Sequence, residues 1–485
     1  MYLKFLVELS TKYYCKNKGF DRKAYLSERL IVFLVEIFKM NPKFNYPTEI
    51  KGNRKLYSLL KGLNHPLEVI SGNHQSVGDS YYIKASFTDK NFIFSQDKEF
   101  VEYILKQNHK NYHKSEIQSV TLGKYLGKGL LTNNGKDWLK QRRLIQPGFS
   151  KAKIANLVSI MEEEIDKSLE SFKSESEVDL YDFFHSLAFN IVAKTLFSSD
   201  VDENTVNELS KIITEVQEVS TKEVRLPFYT QILNIFGVID KNIEKSKRSK
   251  AIIQSILDKR RTSKEEKNDL LDMLIQTRYE DTQLPMSDEQ LVDEMLILFI
   301  AGHETTANAL SFIFFEISQN PKAEEKLKKE IENEEEMVFT SENLMKKSFT
   351  VNIIKEAMRL HSPAWAIDRE ALEDDSFKEY SWPKGTLIIL YISGLHRNPK
   401  YWEHPDSFIP ERFEDENSKN FAYYPFGAGP RLCIGEHFAM MEMALIIRKF
   451  YKRFTFISYQ KKLEKKALVT LRPISLKGKI INNLA

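Results

Sequence analysis

From Ser287 to Gln319 the chain carries one continuous helical pattern, preceded by Pro285 and followed by Asn320-Pro321. Ser287 and Gln290 supply a capping-box start, and Pro321 marks the stop. The pattern is about three times as long as the usual globular helix. Leu291 to Ala301 and Ala309 to Ile317 are apolar almost all round, so the helix has to be buried on every side. Asp293, Glu294, His303 and Glu304 interrupt it, which argues against a membrane span and for the centre of a large protein core. Everything else in the chain has to be arranged around this rod.

In the middle of the rod stands Ala301-Gly302-His303-Glu304-Thr305-Thr306. A glycine costs roughly 1 kcal/mol inside a helix, and threonine hydroxyls bend helices by bonding back to the preceding turn. These residues predict a local opening of the hydrogen-bond ladder, a pocket for a diatomic molecule and water. A carboxylate beside a hydroxyl can relay protons into such a pocket. The plain alternative is a kinked, buried helix with a satisfied glutamate.

A second stretch, Phe426 to Gly435, holds three glycines and Pro430, so it is a shaped loop and not regular helix or strand. An apolar helical pattern follows it (Phe438, Met441, Ala444, Leu445, Ile447). Cys433 therefore sits at the mouth of a helix, where free N–H groups and the helix dipole favour a thiolate. Arg431 adds a positive charge suited to an acidic group on a bound cofactor. Taken alone, Cys433 reads as a small buried hydrophobe. A zinc site is excluded by count, because Cys15 is the only other cysteine.

The length of 485 residues would allow two or three domains, but no repeat or low-complexity linker divides the chain. A formal net charge of +3 argues against nucleic acid as a partner. Two cysteines give no disulfide framework, which fits a reducing cytoplasm, and Met1 to Ser10 lacks the apolar core of a signal peptide. The apolar run Leu30 to Phe38 contains Glu36 and falls far short of the ~20 residues a span needs, so membrane contact is peripheral at most. We divide the chain into an extension over 1–45 and one domain over 46–485.

Within that domain, Tyr46 to Phe94 predicts a small sheet, with Tyr81 to Ile83 and Asn91 to Phe94 as strands. Ala152–Phe172, Phe183–Phe197 and Val206–Val219 show the spacing of packed helices. Lys241 to Asp269 is charge-dense and reads as a solvated helix end and loop. A Gly- and Asn-rich loop, Gly123 to Gly135, leads into Trp138 and Arg142, four apart and so on one helix face. An indole N–H beside a guanidinium suits a pair of carboxylates; a surface Trp–Arg stack is the alternative. Glu356 and Arg359 are three apart and can pair, and residues 467–473 predict a late hairpin at a pocket's edge.

Five of these motifs, in order, resemble those of the cytochrome P-450 family over roughly residues 45–480. Phe426 to Gly435 is similar to the haem-binding loop F-x-x-G-x-R-x-C-x-G, and Ala301 to Thr305 to the oxygen-activation motif. Trp138 with Arg142 resembles the propionate-binding helix. Glu356 with Arg359 resembles the E-x-x-R helix, and Pro410 to Phe413 the P-E-R-F segment that supplies Arg412 to it.

The resemblance implies a mainly α fold with small peripheral β-sheets around haem b, and monooxygenation of a hydrophobic organic substrate by O2. It implies Cys433 as the iron ligand, the known case of a thiolate pushing electron density toward O–O cleavage. It implies Glu304 and Thr305 as the proton-delivering pair. Trp138, Arg142, Arg369 and Arg431 become the propionate partners, with His113 as a further one. Ala301, Phe426 and Gly435 complete the cofactor's surroundings. The expectation is a soluble, cytoplasmic, bacterial-type member without a fused reductase, supplied with electrons by a ferredoxin or flavodoxin-type donor and its reductase. The alternatives are a peroxide-driven or isomerising haem-thiolate enzyme and a non-catalytic haem sensor.

Overall fold

The structure is a computed structural model. It describes residues 44–483 except 63, 85–89, 174–175, 199–202, 226–228, 264–265, 268, 334–347 and 415–421. The expected extension over 1–45 thus lies, but for residues 44 and 45, outside the described residues.

The long pattern is one helix, Asp288–Gln319, of 32 residues. Its Ser287 cap accepts from Gln290 N at 3.2 Å, and Asp288 and Glu289 place negative charge on the positive end of the dipole. It is long and apolar enough to cross a membrane by composition, but 78% of its most apolar window is buried inside the protein. It is a core helix. Helices Leu180–Phe197, Val238–Thr262 and Phe349–Leu360 pack on it. Helix Glu436–Arg453 completes the core behind the Cys433 loop.

The sheets are peripheral. The largest has six strands, in the order Thr48–Glu49, Ser80–Lys84, Asn91–Ser95, Leu387–Leu390, Ile367–Ala371 and Tyr112–His113. Its last pairings are antiparallel and set Tyr112 opposite Ala371 and His113 opposite Glu370, so His113 comes to lie beside the strand that carries Arg369. A smaller hairpin pairs Lys465–Ala467 with Leu471–Pro473, as the sequence predicts.

Three expectations need correction. Between residues 46 and 80 the chain forms two helices, Gly52–Lys61 and Pro66–Val77, before the sheet is built. The charge-dense run does end a helix at Thr262 with mostly exposed residues, but most of it lies inside that one 25-residue helix, Val238–Thr262. Its Arg260 is buried and bonded to Asp269 and Asp272, each at 2.7 Å. Finally, the central helix runs α-helically through Gly302, without the predicted opening. A Cβ at Gly302 would stand 3.0 Å from Val192 Cγ2, so this glycine admits the neighbouring helix.

Candidate functional site

The central helix is buried from Leu291 to Phe315 apart from one patch. Ala301 is exposed, and Leu298, Gly302 and Thr305 are half-buried. These positions stand at i, i−3, i+1 and i+4 and so form one face. An accessible face on a helix that is otherwise enclosed marks a concavity opening onto it. Thr305 Oγ1 donates to Ala301 O at 2.8 Å, which leaves its lone pairs available as acceptors. The neighbouring Glu304 is buried and accepts from Thr470 Oγ1 at 2.7 Å.

Cys433 is a free thiol, and its side chain is exposed. Yet protein atoms surround it closely enough that burial pushes its pKa up, against the Gly435 N–H and the Arg142 charge, which both lower it. Both statements hold for a group on the floor of a concavity. The loop is fixed by backbone. Cys433 N donates to Phe426 O at 3.0 Å, and Leu432 N to Gly429 O at 3.0 Å. Gly429 has φ +69°, and a Cβ there would lie 2.0 Å from Leu105 O, so only glycine lets the loop sit on that helical turn.

Helix Gly135–Ile145 buries Trp138, Gln141, Leu144 and Ile145. Trp138 receives Arg431, whose guanidinium carbon stands 4.3 Å from the ring centroid. Arg142 Nη1 donates to Leu432 O at 2.9 Å, one residue before the thiol. Arg142 thus stands beside the loop carrying the cysteine and its charge acts on the thiol, which the sequence reading did not anticipate.

Arg431, Arg369, His113 and a residue that reading overlooked, Lys114, form one electropositive cluster. Burial and then the charge of Arg369 push Arg431 down to about 10. Burial and then Arg431 lower His113, and burial followed by Arg431 and Arg369 holds Lys114 well below the usual lysine range. Arg369 is buried and donates to the Asp368 carbonyl at 2.7 Å. Arg431 Nη1 is buried with no hydrogen-bond partner among the described residues. A guanidinium with an unpartnered buried N–H, this close to a second one, suits an anion. Lys114 belongs to the frame as well. Its Nζ bonds the Leu130 carbonyl, while Leu130 N donates to Glu294 Oε2 at 3.0 Å and Lys128 N to Asp293 Oδ2 at 2.7 Å. A Cβ at Gly127 or Gly129 would collide with those two carboxylates, which explains the glycines of this loop.

The E-x-x-R pair is wholly buried. Arg359 bonds both oxygens of Glu356, at 2.7 and 2.8 Å, and the carbonyls of His396, Pro405 and Ser407. Arg412 Nε joins Glu356 Oε1 at 3.2 Å. His396 Nε2 in turn accepts from Tyr424 N at 2.8 Å, two residues before Phe426, so the cluster fixes the entry to the Cys433 loop.

An accessible thiol on a backbone-locked loop, beside a cationic cluster with an orphaned guanidinium N–H, fits a thiolate-ligated haem with its two carboxylates. Comparison with known proteins agrees. The Cytochrome P450 family model matches residues 42–478. The chain is 30% identical to cyclooctat-9-en-7-ol 5-monooxygenase of Streptomyces melanosporofaciens, over 68% of this chain and 72% of that protein. It is 28% identical to LUTEIN DEFICIENT 5 of Arabidopsis thaliana, over 77% and 67%. Among solved structures, the cytochrome P450DA heme domain superposes with a TM-score of 0.80 at 20% identity, covering 90% of this chain and 98% of that one. A cyanobacterial relative solved with retinoic acid bound gives 0.77 at 23%, covering 91% and 100%. The chain belongs to the cytochrome P450 family, as a monooxygenase that binds haem b.

Proposed function

We propose that this enzyme inserts one oxygen atom of O2 into a hydrophobic substrate in the pocket over Ala301, using electrons from a ferredoxin or flavodoxin-type donor with its reductase, in the cytoplasm. Cys433 is the iron ligand, with Phe426 and Gly435 holding its loop. Arg431 on Trp138, Arg369 and His113 take the propionates. Arg142 secures the loop through Leu432, and its Nη2, with no partner among the described residues, is left for a propionate. When bound, haem supplies the oxidising chemistry; the chain's part is to place protons and exclude water. Thr305 offers its hydroxyl oxygen on the accessible face, and Glu304 is the acid beside it.

The carrying observation is that accessible patch on a buried helix, with an alcohol on it and an acid next to it. A peroxide-driven or isomerising enzyme, or a sensor, would not need this pair. The hydrophobic substrate class is supported by the apolar residues Leu298 and Ala301 on the accessible face, and by a relative whose name specifies oxygenation of cyclooctat-9-en-7-ol. The test is Thr305→Ala. The variant should keep haem and its carbon monoxide spectrum while electrons emerge as hydrogen peroxide and product formation falls by ~10²–10⁴-fold, the usual contribution of a proton-transfer group. Full coupling in Thr305→Ala would move the peroxide-driven reading to first place.

A further inference from the structure

Glu304 is held by a residue from near the end of the chain. Thr470 Oγ1 donates to Glu304 Oε1 at 2.7 Å and accepts from Asn308 Nδ2 at 3.2 Å. Asn308 lies one turn further along the central helix. An amide NH2 group only donates, so the single hydroxyl proton of Thr470 is committed to the carboxylate. All three side chains are buried, where a bond to an ionised acceptor is stronger than in water. Donation at Oε1 fixes the carboxyl group in one orientation against the hairpin turn.

Thr470 stands at the turn of the hairpin formed by Lys465–Ala467 and Leu471–Pro473. This turn is tied to another part of the pocket wall. Leu471 N donates to Pro363 O at 2.8 Å, and Trp365 Nε1 donates to Leu468 O at 3.0 Å. The base of the hairpin is fixed separately, where Lys465 Nζ stands 2.9 Å from His361 Nδ1. The position of the Thr470 hydroxyl is therefore set by residues outside the central helix together with Asn308 on it. Val469, its neighbour, is exposed while Thr470 is buried, so the turn presents an apolar side chain outward and the hydroxyl to the acid.

We infer that Thr470 is a positioning residue for Glu304. It fixes the orientation of the carboxyl group, and it makes proton delivery depend on the placement of the hairpin turn against Pro363 and Trp365. Thr470 keeps its own proton throughout; the proton leaving Glu304 is replaced from solvent. The inference rests on the oxygenase reading of Glu304 and Thr305.

Thr470→Val removes the hydroxyl at nearly constant shape, and Thr470→Ser restores it. With dodecanoic acid as probe and a surrogate ferredoxin and reductase, Thr470→Val should keep its haem and carbon monoxide band. The share of electrons recovered in oxidised probe should drop by at least about fivefold, with hydrogen peroxide rising in proportion, and Thr470→Ser should recover most of the loss. A readout independent of turnover is the infrared C–O stretch of the ferrous carbon monoxide adduct, which responds to fixed dipoles in the pocket. Thr470→Val and Glu304→Gln should each move or broaden the band, and the double variant should add nothing to either. If Thr470→Val matched wild type in both measurements, the inference would fall and the oxygenase reading would stand. If wild type oxidised no probe, the oxygenase reading would be in question and the infrared comparison alone would decide the Thr470–Glu304 contact.

Discussion

Removing Arg359 should do more damage than any other single change outside the pocket. All five of its N–H groups are used: two on Glu356, and one each on the carbonyls of His396, Pro405 and Ser407. Arg359 and Glu356 have no exposed surface, so nothing solvates what is left behind. Arg359→Ala strands a buried carboxylate, which costs about 3–5 kcal/mol. It also orphans three carbonyls, each worth about 1–3 kcal/mol if no water enters. Arg412 remains on Glu356 Oε1 and offsets part of the first term. Even the lower figure is a large share of the roughly 5–15 kcal/mol that holds a typical protein folded. The matched control is Lys326→Ala, which breaks the two exposed pairs with Glu411 and Glu414 and should change stability by less than about 1 kcal/mol. Haem content per polypeptide and thermal midpoint measure both. Arg359→Ala should yield mostly haem-free or aggregated protein, and Arg359→Lys should fail nearly as badly because an ammonium cannot span the forked contacts. Haem occupancy and a midpoint equal to those of Lys326→Ala would refute the reasoning.

Two further outcomes follow from charge. Arg431→Gln should weaken haem retention yet leave the haem-free protein as stable as wild type or more so, because it removes an unanswered cation; calorimetry of both forms checks this, and equal loss in both would contradict it. Glu294 is pushed up to about 7 by burial, against the Leu130 N–H and the Lys114 charge. A folded-state pKa above the unfolded one means stability is fully present below about pH 4.5 and declines as pH rises through about 7, by at most about 3 kcal/mol for this group. Glu294→Gln should remove that slope in urea titrations run from pH 5 to 8; an unchanged slope would mean that the carboxyl is charged at no cost.

How much of this was legible in the sequence depended on whether the cause is local. Pattern length and apolar coverage gave the central helix within a residue of its ends, and glycine spacing located the Cys433 loop. The pairing of Glu356 with Arg359 follows from their i, i+3 spacing, and Arg412 as its third partner was implied only by the family resemblance. What escaped was set by distance in the chain. Thr470 meets Glu304 across 166 residues, and nothing near either one signals the other. Arg260 sits in a run whose density reads as solvated, and only the packing of Leu270–Gln276 beside it shows that Asp269 and Asp272 bury it. Gly302 read as a weak point in a helix and is instead a point of close approach by Val192. The helix Pro66–Val77 carries Ser, Gly and Asn in its interior, where local propensity disfavours helix and tertiary packing overrides it.

The central claim is that Cys433 places a thiolate on haem iron. The direct measurement is the absorbance of the purified, reduced protein under carbon monoxide. The account predicts a band at about 450 nm, the mark of thiolate-ligated haem in this family, lost in Cys433→Ser and Cys433→His while haem is still bound. A wild-type band where histidine-ligated haem absorbs, or a band that survives in Cys433→Ser, would contradict it.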